Sequence, residues 1–256
     1  MMDDARLTPG RRAVLSGLVG SAGLALTGCQ ENPPTYGNLL RIGDNLTYQA
    51  QRLLLPARSL AREYDRSDIS NMPAVGTTDP GDPKSETFDP QLGPLYDRLR
   101  RGGFADWRLL IEGSVARPVS LGLEDLKRLA RRTQITRHTC EEGWTAIAEW
   151  TGAPLMAALA LARPNAGARF VNFMAYDGQI DSIDMIDALH PQTLLAYGMN
   201  GRDLPQGHGA PVRLRVERQI GYKSLKFIRK IFVSDHFVDP GKAGLIQSGW
   251  AWYNGI

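Results

Sequence analysis

The sequence predicts a mixed α+β fold, a single domain behind an N-terminal extension. Three observations point there. Helical segments are few and short. Strand-like runs do not alternate regularly with them, which argues against a doubly wound parallel sheet. The 256 residues are 43% hydrophobic and 22% charged, enough apolar surface for a core and too much for a disordered chain.

The first thirty residues read as an address. Arg11 and Arg12 precede an uncharged run of 18 residues, Ala13 to Gln30, that holds four glycines. Such a run is a poor spanning helix. A basic start before a short apolar stretch reads as an export signal, and the paired arginines resemble the twin-arginine type. The run ends Leu26-Thr27-Gly28-Cys29, which resembles the bacterial lipobox. Residues 1–28 would then be removed, and Cys29 would carry a lipid. The plain alternative is an N-terminal anchor helix. Removing residues 1–28 leaves a net charge of +2, so lipid rather than charge would hold the mature protein to a membrane. The expected location is the bacterial periplasm, lipid-anchored after twin-arginine export.

Residues 29–103 read as a linker and extension, and residues 104–256 as the main domain. Periodicity predicts a helix over Leu46–Tyr64 with a second helix starting at Pro56, and Leu53, Leu54, Leu60 and Ala61 on one face. Asp65 to Pro94 is rich in Asp, Pro, Gly, Ser and Thr and reads as a long irregular segment. Trp107–Glu112 reads as a strand. Ser120 is placed to cap a helix with apolar positions Leu123, Leu126 and Leu129. Gln134–Cys140 is a strand, and Pro154–Ala162 a short helix opened by its proline. Strands follow at Arg169–Tyr176, Gln179–Met185, Leu194–Tyr197, Val212–Val216 and Phe227–Val233. Asn200-Gly201 is a hairpin turn signal.

Thirty basic residues against 27 acidic ones give a net charge of +3, too mixed for a nucleic-acid binder. The two cysteines, Cys29 and Cys140, exclude a disulfide scaffold and a four-cysteine metal site. With Cys29 acylated, Cys140 has no partner within the chain. Its plain reading is a buried core cysteine.

Three segments carry chemistry. Cys140 ends a strand before a glycine-bearing turn, in Arg137-His138-Thr139-Cys140-Glu141-Glu142-Gly143-Trp144. A thiolate there is open to a metal, and Arg137 and His138 would favour its ionised form. His138, two residues before Cys140, shares its strand face, so a thiol nucleophile with a histidine base is also open. In the second segment glycines flank His208, and Arg213 and Arg215 alternate along a strand. In the third, Gly221-Tyr222-Lys223-Ser224-Leu225-Lys226 has the composition of a phosphate loop. From Arg213 to Lys230 there are seven basic residues against the single acid Glu217. Solvated strand faces are the plain alternative.

These segments resemble the molybdopterin-binding domain of the sulfite oxidase family, within its bacterial methionine sulfoxide reductase branch. The resemblance rests on Cys-x-Glu-Gly-Trp, Trp-x-Gly-x-Pro-Leu, His-Gly-Ala-Pro-Val-Arg and Gly-Tyr-Lys-Ser-Leu-Lys, between about Trp107 and Asp235. It implies a mixed-sheet fold and a molybdenum held by a pterin dithiolene and the Cys140 thiolate. It further implies pterin contacts from Asn45, Tyr48 and Gln49, and contacts to the pterin and its phosphate from His208, Arg213, Ser224, Leu225 and Lys226. The cofactor is expected in its monophosphate form. One departure is Ala175, where the branch carries a threonine contact; either a hydroxyl contact is lost or the register is off by one or two.

Glu142 is the candidate acid/base, with a surface pairing to Arg137 as its alternative. Tyr176 and Asp177 are candidate pocket residues, or else turn residues. Trp250, Trp252 and Tyr253 either cover the pocket or pack on the core. The expected activity is two-electron oxygen-atom transfer on a small oxo substrate or on protein methionine sulfoxide, sulfoxide reduction being favoured. Electrons would be exchanged with a membrane cytochrome or a periplasmic carrier, and the protein would be a monomer. Sulfite-type oxidation and a non-catalytic binding lipoprotein are the alternatives.

Overall fold

The computed structural model describes residues 39–237 and 250–256. The proposed signal and Cys29 lie outside the described residues. The first element, α1, spans Leu39–Leu54. No second helix starts at Pro56; a single 3-10 turn, Arg66–Asp68, interrupts an irregular stretch that runs to Gln91. This stretch wraps the second sheet described below, with Ser70 N–H donating to Ile147 O at 3.0 Å. Helix α2, Leu92–Arg101, was not expected from the sequence.

The strands are β1 Arg108–Gly113, β2 Val119–Gly122, β3 Arg132–Thr139, β4 Thr145–Pro154, β5 Phe170–Ala175, β6 Ile180–Asp184, β7 Leu194–Met199, β8 Arg202–Asp203, β9 Arg213–Arg215 and β10 Ile228–Ser234. Between them lie α3 Leu123–Arg128, α4 Leu155–Ala162 and α5 Met185–Ala188. One sheet runs β2-β1-β10-β5-β6, and the other β3-β4-β7-β8 with β9 also on β7. β1 and β10 are parallel and the other described pairs antiparallel, so the first sheet is mixed, as expected, while the described pairs of the second are all antiparallel.

Two local expectations are corrected. Ser120 lies on β2 opposite Leu110 and caps nothing. Gly122 starts α3 instead, its N–H donating to Asp125 at 2.8 Å. β4 was missed because both its faces are largely covered, so no clean alternation marks it. The Asn200-Gly201 turn is as expected, both residues having positive φ, 51° and 76°.

The two sheets share one core. Leu109, Ile111, Val171, Phe173, Ile231 and Val233 come from the first sheet, and Ala153, Leu195 and Leu214 from the second. Trp150, Ala148 and Leu194 pack with Met72 of the irregular segment in a smaller cluster. That segment, the β3–β4 turn and the loops around β9 enclose the site.

Candidate active site

β3 places its alternate residues Gln134, Thr136 and His138 inward, and Cys140 follows two residues later. The turn after it closes with Cys140 N–H donating to Trp144 O at 2.9 Å and Gly143 N–H to Cys140 O at 3.1 Å. Gly143 has φ 90°, where a side chain would be strained. Cys140 is buried, yet it lines a cavity of about 250 Å³. His138, His208, Arg213, Ser224, Leu225 and Lys226 line the same cavity. Five residues from the distant stretch 208–226 therefore share this cavity with the thiol and its strand neighbour His138.

Arg213 and Arg215 do face one side together. Their guanidinium carbons lie 5.1 and 4.4 Å from the centroid of the Trp150 ring. They then diverge. Arg215 donates to both oxygens of Glu217, at 3.1 and 2.7 Å, and to His138 Nδ1 at 2.7 Å. Gln134 also donates to Glu217, at 3.0 Å. An arginine only donates, so Nδ1 of His138 is bare and Nε2 carries the proton. Burial first, then Arg215, push the His138 pKa well down, so the ring is neutral.

Arg213 donates to His208 O at 3.0 Å and to Ser224 O at 2.8 Å. Lys226 donates to Val75 O at 2.8 Å, to Gly207 O at 3.1 Å and to Thr77 O. Gly209 makes this closure possible: a Cβ there would lie 2.9 Å from Lys226 Cβ and 3.1 Å from Arg213 Cβ. Among the described residues no carboxylate forms an ion pair with Arg213 or Lys226. Burial first, then a neighbouring cation, Arg215 for Arg213 and Arg213 for Lys226, lower their pKa values, to about 9 for Arg213 and about 7 for Lys226. His208 falls to about 4, from burial and the same two cations. Two buried cations without an ion pair among the described residues suit a phosphate.

The thiol also fits a metal. Burial and the Glu141 carboxylate raise the Cys140 pKa to about 11, and Sγ donates to Glu141 Oε2 at 3.5 Å. A bound metal would displace that proton outright, and sulfur suits a soft redox metal. Arg137 and His138 do not ionise the sulfur, contrary to expectation. Arg137 is exposed, 5.4 Å from the Tyr64 ring, and His138 is neutral. A thiol nucleophile with His138 as base is not supported either, because Arg215 occupies the free lone pair of Nδ1 and burial leaves the ring very weakly basic. Glu142 lines the cavity but is exposed, accepts from Trp144 Nε1 at 3.0 Å and lies 3.9 Å from Sγ.

The structure does not bring Asn45, Tyr48 and Gln49 to this cavity. Tyr48 donates to Asp184 at 2.9 Å, and Asn45 accepts from Trp252 Nε1 at 3.1 Å. α1 uses its polar side to dock on β6 and the C-terminal residues, so these three stand apart from the other candidate cofactor contacts. Ala175 is buried in β5 and is likewise not a lining residue. Asp177 lines the cavity, whereas Tyr176 packs at a tilt against Tyr96 in the core, ring centroids 5.6 Å apart. Trp250 lines it too, while Trp252 and Tyr253 pack with Tyr48. The wall from Met72 to Thr77 was missed. Its one sequence signal was the long irregular segment, typical of functional loops. Lys223 turns away from the cavity to pair with Asp181 in the interior.

Residues 98–240 match the family model described as oxidoreductase molybdopterin binding domain. The chain is 36% identical over 186 residues to the putative protein-methionine-sulfoxide reductase subunit YedZ1 of Azospira oryzae, covering 66% of this chain and 70% of that protein. It is 31% identical to the protein-methionine-sulfoxide reductase catalytic subunit MsrP of Xanthomonas axonopodis pv. citri, covering 96% of this chain and 76% of that protein. The solved sulfane dehydrogenase SoxCD of Paracoccus pantotrophus aligns with a TM-score of 0.49 at 26% identity, over 51% of this chain and 39% of that one.

Proposed function

This chain belongs to the molybdopterin-binding oxidoreductase family and is a molybdenum-dependent oxidoreductase; on that premise we propose that it reduces the sulfoxide of oxidised methionine in proteins. The observation that carries the proposal is the meeting of Cys140 with Arg213, Lys226 and His208 in one cavity. The names of the relatives support the substrate class.

Cys140 would be the protein's metal ligand. His208, Arg213, Ser224, Leu225 and Lys226 would hold the pterin and its phosphate, in the monophosphate form. When bound, the cofactor supplies two-electron oxygen-atom transfer. The chain's own groups would orient the reactants and handle protons. Neutral His138 lines the cavity with a protonated Nε2 and can donate a hydrogen bond to an oxygen there. Glu142, positioned by Trp144, is the group placed to exchange protons with solvent. Sulfoxide reduction consumes two protons and two electrons, so such a route is required. The neutral His138, the outward Arg137 and the carboxylates of Glu141 and Glu142 favour a neutral sulfoxide over the sulfite anion.

Electrons would come from a membrane cytochrome or a periplasmic carrier. Export through the twin-arginine signal, a lipid at Cys29, a periplasmic location and a monomeric state complete the proposal. The test is a Mo(V) electron paramagnetic resonance spectrum of the purified protein, with opposed assays on an oxidised protein and on sulfite. The expected result is a Mo(V) signal and turnover of the sulfoxide with a reduced viologen dye. Turnover of sulfite alone, or full activity without molybdenum, would overturn it.

A further inference from the structure

Helix α1 is built inside out. At 100° per residue its side chains divide into two faces. Gly43, Leu46, Thr47, Ala50, Leu53 and Leu54 are all exposed, and none carries a charge. Leu53 is 85% exposed and Leu54 76%. The polar side faces the protein, where Arg52 bridges Asp184 and Asp187 at 2.8 and 3.0 Å and Tyr48 donates to Asp184. A surface helix ordinarily turns its apolar side to the core.

The exposed apolar groups collect on this side. Among the described residues, nine large hydrophobic side chains are exposed, and seven belong to Leu46–Leu60 and to the stretch Ile186–Leu189 at α5. Direct bonds tie these segments together. His190 Nε2 meets Ser59 O at 3.0 Å, and Ala61 N–H donates to Gln192 at 2.7 Å. Exposed Arg58 and Arg62 flank Leu60. A contiguous apolar patch with basic neighbours marks an interaction surface.

We propose that this face rests on the anionic lipid surface of the membrane. The inference rests on the proposed lipid at Cys29. Leu39 stands ten positions after Cys29, a reach of at most about 35 Å. A lipid-borne Cys29 would thus hold the leucines beside the bilayer. At 16 residues α1 is about 24 Å long, shorter than the ~30 Å hydrocarbon core, so it would lie along the interface rather than span it. Leucines enter the headgroup boundary, and Arg58 and Arg62 meet lipid phosphates.

The test uses the mature, cofactor-loaded chain with Cys29→Ser, so that no acyl chain contributes. Co-sedimentation is measured with vesicles of phosphatidylglycerol and phosphatidylethanolamine. Adding Leu46→Gln, Leu53→Gln and Leu54→Gln together is expected to weaken vesicle binding at least tenfold, with activity on free methionine sulfoxide unchanged. Equal binding by both forms would overturn the proposal. So would a self-association, or a lipid-independent capture of a membrane protein, that the leucines control instead. Mass spectrometry of Cys29 in exported protein is read separately. Leucine-dependent vesicle binding without acylation sustains the docking face and removes the anchor. Acylation without leucine-dependent binding does the reverse.

Discussion

The cavity wall and α1 invert ordinary patterning in opposite senses. Around β9 the protein buries Arg213, Arg215, Glu217 and Lys223. On α1 it exposes Leu46, Leu53 and Leu54. The buried charges are of two kinds. Arg215 with Glu217, and Lys223 with Asp181, are paired within the protein. Arg213 and Lys226 have only backbone carbonyls as hydrogen-bond acceptors among the described residues, and each is destabilised by burial and by a neighbouring cation. The difference separates framework from site. Paired charges are complete without a ligand, whereas the unpaired cations and the uncovered leucines each call for something outside the chain.

The largest effect should come from the site itself. Cys140→Ser is expected to reduce molybdenum content, measured by mass spectrometry of the metal, to background and to abolish sulfoxide reduction. Leu53→Gln should leave both unchanged. Metal retained at wild-type level in Cys140→Ser would break the contrast.

Next comes the framework pair. Glu217→Ala strands Arg215 without its carboxylate, and breaking a buried pair costs about 3–5 kcal/mol. Urea unfolding of the cofactor-free protein measures it. On the other side, Arg52→Met leaves Asp184 and Asp187 underpaired nearer the surface, a loss of about 2 kcal/mol. Hydrogen exchange should then show α1 opening before the sheets.

A pH series sharpens the distinction between paired and unpaired charge. Lys226 has a folded pKa of about 7, below the ordinary lysine value of 10.5. Between those values the unfolded chain holds a proton that the folded chain lacks. Stability of the cofactor-free protein should therefore rise as pH increases from about 7 to about 10. A bound phosphate would keep Lys226 charged, so the loaded protein should show a flatter profile. Thermal melts of both forms across that range measure the difference.

The smallest effect belongs to the outward leucines. Leu53→Gln with Leu54→Gln should change unfolding free energy by no more than about 0.5 kcal/mol, because these side chains are already in water. A larger loss would mean that the face is covered within the chain.

Much of the site was legible from local pattern. The strand-to-turn position of Cys140, the shared face of Arg213 and Arg215, and the Asn200-Gly201 hairpin follow from two-residue periodicity and turn chemistry. These depend on neighbours in the chain, which a sequence displays directly. The motifs also marked His208, Ser224, Leu225 and Lys226 as companions of the thiol.

Tertiary structure decided the rest, because it depends on groups far apart in the chain. The leucines of α1 have a helical period, but a period does not say which face turns inward. Asp184 and Asp187, more than 130 residues away, draw Arg52 inward and leave the leucines outside. Asp184 also holds Tyr48 against β6, away from the cavity that Cys140 lines. Likewise Lys223 and Lys226 stand three apart in one loop, yet one pairs with Asp181 and the other reaches Val75, 151 residues away. The sequence determined which residue types the site uses and where its turns lie. Only the fold decided which charges are neutralised inside the protein and which are left for a ligand.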